Sequence, residues 1–220
     1  NQQTIITVPY TVTDNAGATS TANLVITVTG TNDTPVANAN TVAATEDNAL
    51  TIAPATLLGN DTDIDNGTTL SITSVQGAVN GTVALVGGNV VFTPAANYNG
   101  PASFTYTVSD GNGGTSTATV TVNVAAVNDA PVAQAGAFTV AEDAAVVNGA
   151  VTATDVDAGA TLSFSLNGAA PAGLTFNSNG TYSFNPANAA YQSLGVNQQT
   201  VLTVPYTVTD NAGATSTANL

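Results

Sequence analysis

The strongest constraint on the fold is an internal repeat that operates on two length scales. Residues 1–24 return almost unchanged as residues 197–220. The two copies differ only at the pairs Ile5/Val201 and Ile6/Leu202. A shorter period of 96 residues relates the segment Asn32-Asp33-Thr34-Pro35 to Asn128-Asp129-Ala130-Pro131. A chain that repeats itself at such spacings is built from modules, not from one continuous core.

The Asn-Asp-x-Pro segments predict where the modules meet. An alternating run of apolar residues leads into each segment, and the proline stops the strand because it lacks an N–H and restricts the residue before it. We therefore predict the C-terminal hairpin of a truncated module at 1–30, a complete module at 33–128, and a module at 129–220 that lacks the end of its last strand. A lone hairpin is marginal in water, so we expect residues 1–30 to fray unless something covers them.

Short strands separated by turn residues indicate the fold class. Gly, Asn and Pro clusters punctuate the complete module, and no helical period is sustained in it. The candidate strands are 36–44, 49–58, 69–75, 82–86, 89–94, 102–109 and 115–124. Seven strands at this spacing are typical of an immunoglobulin-like β-sandwich, so we predict an all-β chain of tandem sandwiches.

Three equivalent tyrosines precede the tips of the predicted hairpins. Tyr10, Tyr106 and Tyr206 each lie four residues before an aspartate that begins a turn. They match the position of the corner tyrosine of such sandwiches, whose hydroxyl bonds to the backbone. The alternative is that they are buried aromatic residues of a strand without that role. Pro9 and Pro205 stand just before two of them, and we expect a bulge there because proline removes a ladder hydrogen bond.

The charge composition excludes several functions. The chain has 14 acidic residues, no Lys, Arg or His, and a net charge of −14. Such a chain repels nucleic acid and anionic lipid, and it has no apolar run of the roughly 18 residues needed to span a bilayer. Without His, Cys or Lys, a nucleophile has no ordinary base and an oxyanion has no cationic partner, so we do not expect an enzyme. Cations are the natural partners.

The carboxylates fall into four recurring settings, whereas acidic residues placed for solubility would be scattered. The settings are the connector, an early turn, a glycine-bounded loop and the hairpin tip. The connector contains Asp33 and Asp129, and the early turn contains Glu46, Asp47, Glu142 and Asp143. The loop contains Asp61, Asp63, Asp65, Asp155 and Asp157, and the hairpin tips contain Asp14, Asp110 and Asp210. In a sandwich the connector, loop and tip converge at one end and the early turn lies at the other. Clustered acidic groups without basic partners favour a hard divalent ion, and oxygen-only ligands favour Ca²⁺ over Mg²⁺ or Zn²⁺.

Each motif also has an interpretation without metal. Asn-Asp-x-Pro and Asp-Gly-Asn-Gly form turns by themselves, and only their joint recurrence favours calcium. The run Asp61-Thr62-Asp63-Ile64-Asp65-Asn66 resembles the start of an EF-hand loop. The sixth position is Asn66 where that loop needs glycine and the twelfth is Ile72 where it needs glutamate, so we reject an EF-hand.

The combination D-x-D, S-D-G-N-G and N-D-A-P-V resembles cadherin-type calcium modules. It is most similar to the cadherin-like and VCBS tandem repeats of giant bacterial RTX adhesins. The resemblance implies cadherin-like sandwiches joined end to end by calcium-binding linkers. For the complete junction it implies the ligands Glu46, Asn128, Asp129, Asp155, Asp157 and Asp210. For the upstream junction it implies Asn32, Asp33, Asp63, Asp65 and Asp110, with Asp61 as a further candidate in the same loop.

The function we predict from the sequence is mechanical. The chain is expected to be an extender of a secreted, extracellular adhesin on the bacterial cell surface, projecting a distal ligand-binding region for cell adhesion or biofilm formation. Its partners would be calcium ions and neighbouring repeats. The alternative is a carbohydrate-binding or homophilic adhesion module. We expect a monomer, with strand exchange through residues 1–24 as a further hypothesis.

Overall fold

The chain folds into strands that form two compact units. The structure is a computed structural model that describes residues 2–220, so Asn1 of the predicted hairpin lies outside the described residues. The units are Asn1–Ala125 and Ala126–Leu220. The fold is all-β, as predicted, with one short helix among the described residues. No helix within residues 2–220 combines the length and the apolar character needed to cross a membrane.

The chain begins with a two-stranded ribbon. Strands β1 (Gln3–Thr13) and β2 (Thr19–Thr29) pair antiparallel in one unbroken register. They form a sheet of their own, and every residue of both strands is exposed. The ribbon is therefore regular in its backbone, yet it buries neither of its faces.

The rest of the first unit is a sandwich of seven strands. Its strands are β3 (Asn40–Thr45), β4 (Leu50–Ile52), β5 (Ser71–Val79), β6 (Gly81–Val86), β7 (Asn89–Pro94), β8 (Gly100–Ser109) and β9 (Thr115–Ala125). One sheet has the order β3-β9-β8-β5 and the other has the order β4-β7-β6. The strand count and the two-sheet arrangement agree with the prediction from the sequence.

The alternation of apolar and polar residues determines which face of each strand is buried. In β8 the side chains of Phe104, Tyr106 and Val108 are fully buried, while the threonines between them lie on the other face. Phe104 stacks on Phe92 of the opposite sheet, with ring centroids 5.8 Å apart. Burial of such side chains is the main favourable term in folding.

The predicted strand 49–58 is wrong in its second half. Strand β4 ends at Ile52, and helix α1 (Pro54–Leu58) follows it. Proline is favoured in the first turn of a helix, where its missing N–H has no partner to lose. Leu57 of this single turn is fully buried in the core. A short apolar run can bury its side chains as a strand or as a helix, so its hydrophobicity alone does not distinguish the two.

The first and last strands of the sandwich pair in parallel. Asn40–Thr45 of β3 lies in register with Val120–Ala125 of β9. The N–H of Glu46 continues this ladder by donating to the carbonyl of Ala125 at 3.0 Å. The early turn at Glu46 therefore lies at the end of β3, away from the connector that precedes it.

The second unit contains eight shorter strands. They are β10 (Val132–Ala133), β11 (Val147–Ala150), β12 (Ala153–Thr154), β13 (Ser163–Leu166), β14 (Leu174–Phe176), β15 (Thr181–Phe184), β16 (Pro205–Thr209) and β17 (Thr215–Asn219). They form sheets with the orders β10-β12, β11-β15-β14 and β13-β16-β17. Tyr206 is fully buried, and its ring lies 6.3 Å from Phe164 and 6.0 Å from Phe176.

The bulges expected at Pro9 and Pro205 are absent. Pro9 pairs with Asn23 and Pro205 with Asn219 in unbroken registers. The carbonyl of Pro205 accepts the N–H of Asn167 at 2.9 Å, so the backbone polar groups of Pro205 face β13. Because the N–H that proline lacks would also point toward β13, the β16–β17 ladder loses no hydrogen bond. The register shifts of the first unit lie in β5 instead.

Two of the three tyrosines act as corner tyrosines. The hydroxyl oxygen of Tyr106 lies 3.0 Å from the carbonyl oxygen of Asn38, and the hydroxyl of Tyr206 donates to the carbonyl of Gln134. The two acceptors are equivalent residues, 96 positions apart. Tyr10, in the ribbon, is 50% exposed.

Candidate metal centres

In the first unit, the connector contacts both the tip and the glycine-bounded loop. The Nδ2 of Asn32 donates to Oδ2 of Asp110 at 2.8 Å, and the N–H of Asp33 donates to Oδ2 of Asp65 at 2.8 Å. Segments separated by 32 and 78 residues therefore meet at one end of the sandwich. This is the convergence that the predicted topology requires.

The tip aspartate closes its own turn and also holds the connector. Oδ1 of Asp110 accepts the N–H groups of Asn112 at 2.7 Å and Gly114 at 3.0 Å, which closes the turn. Its Oδ2 accepts the side-chain amide of Asn32 at 2.8 Å and also lies 3.1 Å from the N–H of Gly114. That amide, followed by the backbone N–H groups, keeps the pKa of Asp110 below its ordinary value, although burial acts in the opposite direction. The carboxylate thus stays ionised at the point where the connector enters the module.

The loop aspartate Asp63 leaves one carboxylate oxygen available. Its Oδ1 accepts the N–H of Asp65 at 2.8 Å. Its Oδ2 is buried and has no hydrogen-bond partner within residues 2–220. A buried carboxylate oxygen without a partner is costly, so this atom calls for a cation or a donor from outside the chain.

The second unit repeats the same arrangement with equivalent residues. The Nδ2 of Asn128 donates to Oδ2 of Asp210 at 2.7 Å. The N–H of Asp129 donates to Oδ2 of Asp157 at 2.8 Å, and the N–H of Asp157 donates to Oδ1 of Asp155 at 2.9 Å. The amide of Asn128, and then the backbone N–H groups, lower the pKa of Asp210.

Asp155 is the counterpart of Asp63 in this second arrangement. Its Oδ2 is also buried and finds no hydrogen-bond partner among the described residues. Two independent copies therefore orient the same carboxylate oxygen in the same way. Because the unpartnered carboxylate oxygen occurs in both units, it is a feature of the repeat and not an accident of one loop.

The early turn places two acidic residues at the far end of the first sandwich. Glu46 is 1% exposed, and its N–H is fixed to Ala125 at the end of β9. Asp47 adopts a φ of 59°, and its Oδ1 accepts the N–H of Asn97 at 3.0 Å. Asp47 thus stabilises a turn, whereas Glu46 is held just before the chain continues to Asn128.

Asp61 has a different environment from the other loop aspartates. Its Oδ1 accepts the N–H of Asn38 at 2.7 Å, and its Oδ2 accepts the hydroxyl of Tyr106 at 3.0 Å. Burial, and then the bond to Asp61, raise the pKa of Tyr106 well above its ordinary value, although Asn40 partly offsets this. Sequence reasoning did not single out Asn38 or Asn40, which complete this network by their contacts with Tyr106.

The donor set fits a hard cation. The groups that converge in each unit are carboxylate and amide oxygens, and the chain has no His or Cys that would favour zinc. Ca²⁺ takes about 6–8 oxygen ligands in flexible geometry, which matches loops that carry several carboxylates. The orphaned oxygens of Asp63 and Asp155 supply the structural evidence for this fit.

The chain belongs to the cadherin-like family. The family described as "Cadherin-like domain" matches residues 31–125, and "Bacterial cadherin-like domain" matches residues 128–220. Domains of this family are extracellular adhesion modules that typically bind calcium and adjacent repeats. No curated protein matches the sequence.

Solved cadherin ectodomains share the fold. The human CDH23 EC21–23 structure is 22% identical, with a TM-score of 0.57 over 98% of this chain and 73% of that one. The human desmocollin-1 ectodomain is 15% identical, with a TM-score of 0.50 over 92% and 39%. Mouse cadherin-23 EC22–24 is 21% identical, with a TM-score of 0.50 over 86% and 65%. The chain thus spans only part of each, and at these identities the likeness concerns the fold alone.

Proposed function

We propose that the chain is an extender segment of a secreted adhesin on the bacterial cell surface, of the RTX and VCBS repeat type, stiffened by calcium. It would project a distal ligand-binding region for cell adhesion or biofilm formation. The observation that carries the proposal is the repeated, buried carboxylate oxygen of Asp63 and Asp155 beside a connector. We retain the division into segments 1–30, 33–128 and 129–220 as part of this proposal.

The ligands that we propose follow the repeat. The second connector uses Asn128, Asp129, Asp155, Asp157 and Asp210, and the first uses Asn32, Asp33, Asp63, Asp65 and Asp110. We add Glu46 to the second set because its N–H is bonded to Ala125, three residues before Asn128. Asp61 is the weakest candidate, since both of its oxygens accept hydrogen bonds from the corner network.

Calcium would supply the positive charge that the chain lacks. Without Lys, Arg or His, no side chain can offset the repulsion among the carboxylates that hold each connector. The connector residues Asp33 and Asp129 are already attached through their N–H groups to Asp65 and Asp157. A bound ion would also tie the side-chain carboxylates of Asp33 and Asp129 to the loop aspartates. This second link would reduce bending of the connector.

The test is thermal unfolding and small-angle X-ray scattering with calcium and with chelator. Extracellular sites have a Kd of about 10⁻⁴–10⁻³ M. At about 100 times Kd, each site adds roughly 2.7 kcal/mol, which raises the Tm of a domain of this size by roughly 10–20 °C. We expect calcium to raise the Tm and to lengthen the particle.

Matched variants separate calcium binding from turn formation. Asp63→Asn and Asp155→Asn together keep the turn but remove two charges, so the calcium-induced rise in Tm should shrink, while stability in chelator stays equal or increases. Asp14→Asn is the control, because Asp14 lies in the exposed ribbon and makes only the turn bonds of a tip. An unchanged Tm and length on adding calcium would refute the proposal, and a glycan screen would then test the carbohydrate-binding alternative.

A further inference from the structure

The chain contains seven Asn-Gly steps, in which the asparagine side chain can lose ammonia. They begin at Asn66, Asn80, Asn99, Asn112, Asn148, Asn167 and Asn179. Asparagine is a thermolabile residue, and a glycine after it leaves the next backbone nitrogen unshielded because glycine has no Cβ. The structure divides the seven steps by how firmly their reacting groups are held.

The reaction is an attack of the glycine nitrogen on Cγ of the asparagine. A bond forms between these two atoms, the C–N bond of the side-chain amide breaks, and the amide nitrogen leaves as ammonia with the proton of the glycine N–H. Water then opens the cyclic imide at either carbonyl, which gives aspartate or isoaspartate. Water is the only co-reactant. The step requires a side-chain amide that can turn toward the glycine nitrogen and a glycine N–H that is not held in a hydrogen bond.

Strand pairing restrains three of the steps. Asn148 and Gly149 both lie in β11, which pairs with β15. Gly81 begins β6 and Gly100 begins β8, and each is in register with a residue of the neighbouring strand. The extended backbone of a strand holds the next nitrogen away from Cγ of the preceding residue. These steps react only after the ladder opens locally.

Side-chain contacts restrain two of these asparagines in the first unit. The Nδ2 of Asn80 donates to the hydroxyl of Tyr98 at 2.7 Å and to the carbonyl of Pro101 at 3.0 Å. The Nδ2 of Asn99 lies 3.5 Å from Oε2 of Glu46, which is a weaker contact. Asn80 is therefore held at both its amide and its glycine, and Asn99 is held less firmly.

Two further asparagines are held in the second unit. Oδ1 of Asn179 accepts the N–H of Thr181 at 3.1 Å and its hydroxyl at 2.7 Å. The N–H of Gly180 donates to a backbone carbonyl at 3.0 Å, so neither reacting group of this step is available. Asn167 has one restraint, because its Oδ1 accepts the hydroxyl of Thr207.

The steps at Asn66 and Asn112 have none of these restraints. Both asparagines are exposed, and within residues 2–220 their side chains make no hydrogen bond. In the same part of the chain, the N–H groups of Gly67 and Gly113 donate none. These glycines adopt φ values of 82° and 106°, and a Cβ on either would meet no atom within 4 Å. The space that the cyclic imide needs is therefore open.

Both free steps lie where the first unit holds its connector. Asn66 follows Asp65, which accepts the N–H of Asp33, and Asn112 belongs to the tip whose Asp110 accepts the amide of the preceding connector residue. In the second unit the equivalent positions are Ala158-Gly159 and Ala212-Gly213. The turns are thus repeated, but the reactive side chain is present in the first unit alone.

We propose that Asn66 and Asn112 are sites of spontaneous deamidation, which modifies the connector end of the first unit and spares the second. Each conversion replaces a neutral amide by a carboxylate next to Asp65 or Asp110, in a chain that has no basic side chain to offset it. The modification therefore increases the repulsion at the point where the connector is attached.

Isoaspartate has an additional effect on the tip. It inserts one more carbon atom into the backbone between Asp110 and Gly114. The turn is closed by the N–H of Asp110, which donates to the carbonyl of Gly114 at 3.2 Å, and by the N–H of Gly114, which donates to Oδ1 of Asp110 at 3.0 Å. A longer backbone does not fit these bonds, so the tip carboxylate loses the position from which it holds the connector.

The surrounding charge does not select these two sites. Negative charge develops during the attack, and the carboxylates of Asp65 and Asp110 act against it. At an ionic strength of 0.15 M the Debye length is about 8 Å, so salt weakens this opposition at exposed groups. We therefore expect the order of reactivity to follow the restraints on the amide and on the glycine N–H.

The test is peptide mapping by mass spectrometry of the 220-residue chain after incubation at mildly alkaline pH, in physiological salt with chelator. The same chain in urea gives the rate of each step without structure. Relative to urea, we expect Asn66 and Asn112 to keep nearly their full rate, and Asn99 and Asn167 to be intermediate. Steps that must open locally should be slowed by about 100-fold or more, namely those at Asn80, Asn148 and Asn179.

Two results of this experiment would overturn the proposal. One is equal protection of all seven steps in the folded chain. The other is a product that contains aspartate without isoaspartate, because direct hydrolysis gives aspartate alone whereas the cyclic imide opens to both.

A variant of the second unit tests whether the loop geometry is the cause. Ala158→Asn creates an Asn-Gly step at an exposed position of the equivalent loop, and we expect it to convert as Asn66 does. Ala158→Gln is the matched control, because glutamine carries the same amide but must form a larger ring, and it should stay intact. An Ala158→Asn variant that stays intact while Asn66 converts would refute the argument from geometry.

Calorimetry of the incubated chain tests the structural consequence. In chelator we expect the Tm of the first unit to fall as conversion proceeds, while that of the second unit stays constant. The double variant Asn66→Gln and Asn112→Gln keeps both amides and should keep its Tm through the same incubation. Complete conversion of both sites without a fall in Tm would refute the effect on the connector.

Discussion

The three equivalent tyrosines allow one hydroxyl to be removed in three environments. Tyr106 is fully buried, and its hydroxyl contacts Asn40 at 3.0 Å and Asp61 at 3.0 Å. Tyr206 is also fully buried, and its hydroxyl donates to one backbone carbonyl. Tyr10 is half-exposed in the ribbon. Substitution by phenylalanine leaves the ring in place, so the loss of stability reports on the hydroxyl alone.

The expected losses differ by the number and charge of the partners. A bond to a charged group contributes about 1.5–3 kcal/mol and a neutral bond about 0.5–1.5 kcal/mol. Tyr106→Phe loses a donor bond to a carboxylate and an acceptor bond to an amide, so we expect a loss of about 2–3 kcal/mol. Tyr206→Phe should lose about 1 kcal/mol and Tyr10→Phe close to none, on the same scale.

The assay is calorimetric unfolding at a fixed calcium concentration, in which we expect a separate transition for each of the two compact units. Since 1 kcal/mol shifts the Tm of a domain of this size by about 4–8 °C, Tyr106→Phe should lower the transition of the first unit by roughly 10–20 °C. The transition of the second unit should respond only to Tyr206→Phe. A loss in Tyr10→Phe equal to that in Tyr106→Phe would refute the role of the corner network.

Two further predictions concern the core and alkaline pH. Leu57→Ala should destabilise the first unit by about 2–5 kcal/mol in urea unfolding, whereas Ile64→Ala, at a position that is 81% exposed, should have little effect. The pKa values of Tyr106 and Tyr206 are raised above the ordinary 10.0, so their contribution to stability is complete below that pH and is lost as the pH increases through the folded-state values. Phenolate absorbance during base titration measures this ionisation directly, and no Lys or Arg titrates in the same pH range. If all the tyrosines ionise together while the protein stays folded, the prediction is wrong.

The repeated carboxylate settings could be predicted because strand alternation and turns are local signals. The sequence places Asp33, Asp65 and Asp110 at the ends of predicted strands, and a sandwich returns those ends to one place. Their contacts in the structure follow from that topology. The same reasoning could not show that Asn32 donates to Asp110, because the direction of an amide depends on the final geometry.

Other features depend on tertiary context. The run 49–58 contains a helix because Leu57 completes the core from a single turn, and no sequence period distinguishes that from a strand. Asp61 shares its loop with Asp63 but serves the corner network. One signal pointed to this difference: the second module has Ala153 where the first has Asp61, so this carboxylate is not part of the repeated set.

The parallel pairing of β3 and β9 has a mechanical consequence. A pull on the two ends of the first sandwich acts along these strands in opposite directions, and it loads their hydrogen bonds in shear. The six register pairs from Asn40 to Thr45 then share the load, whereas an antiparallel hairpin pulled from its open end would unzip one bond at a time.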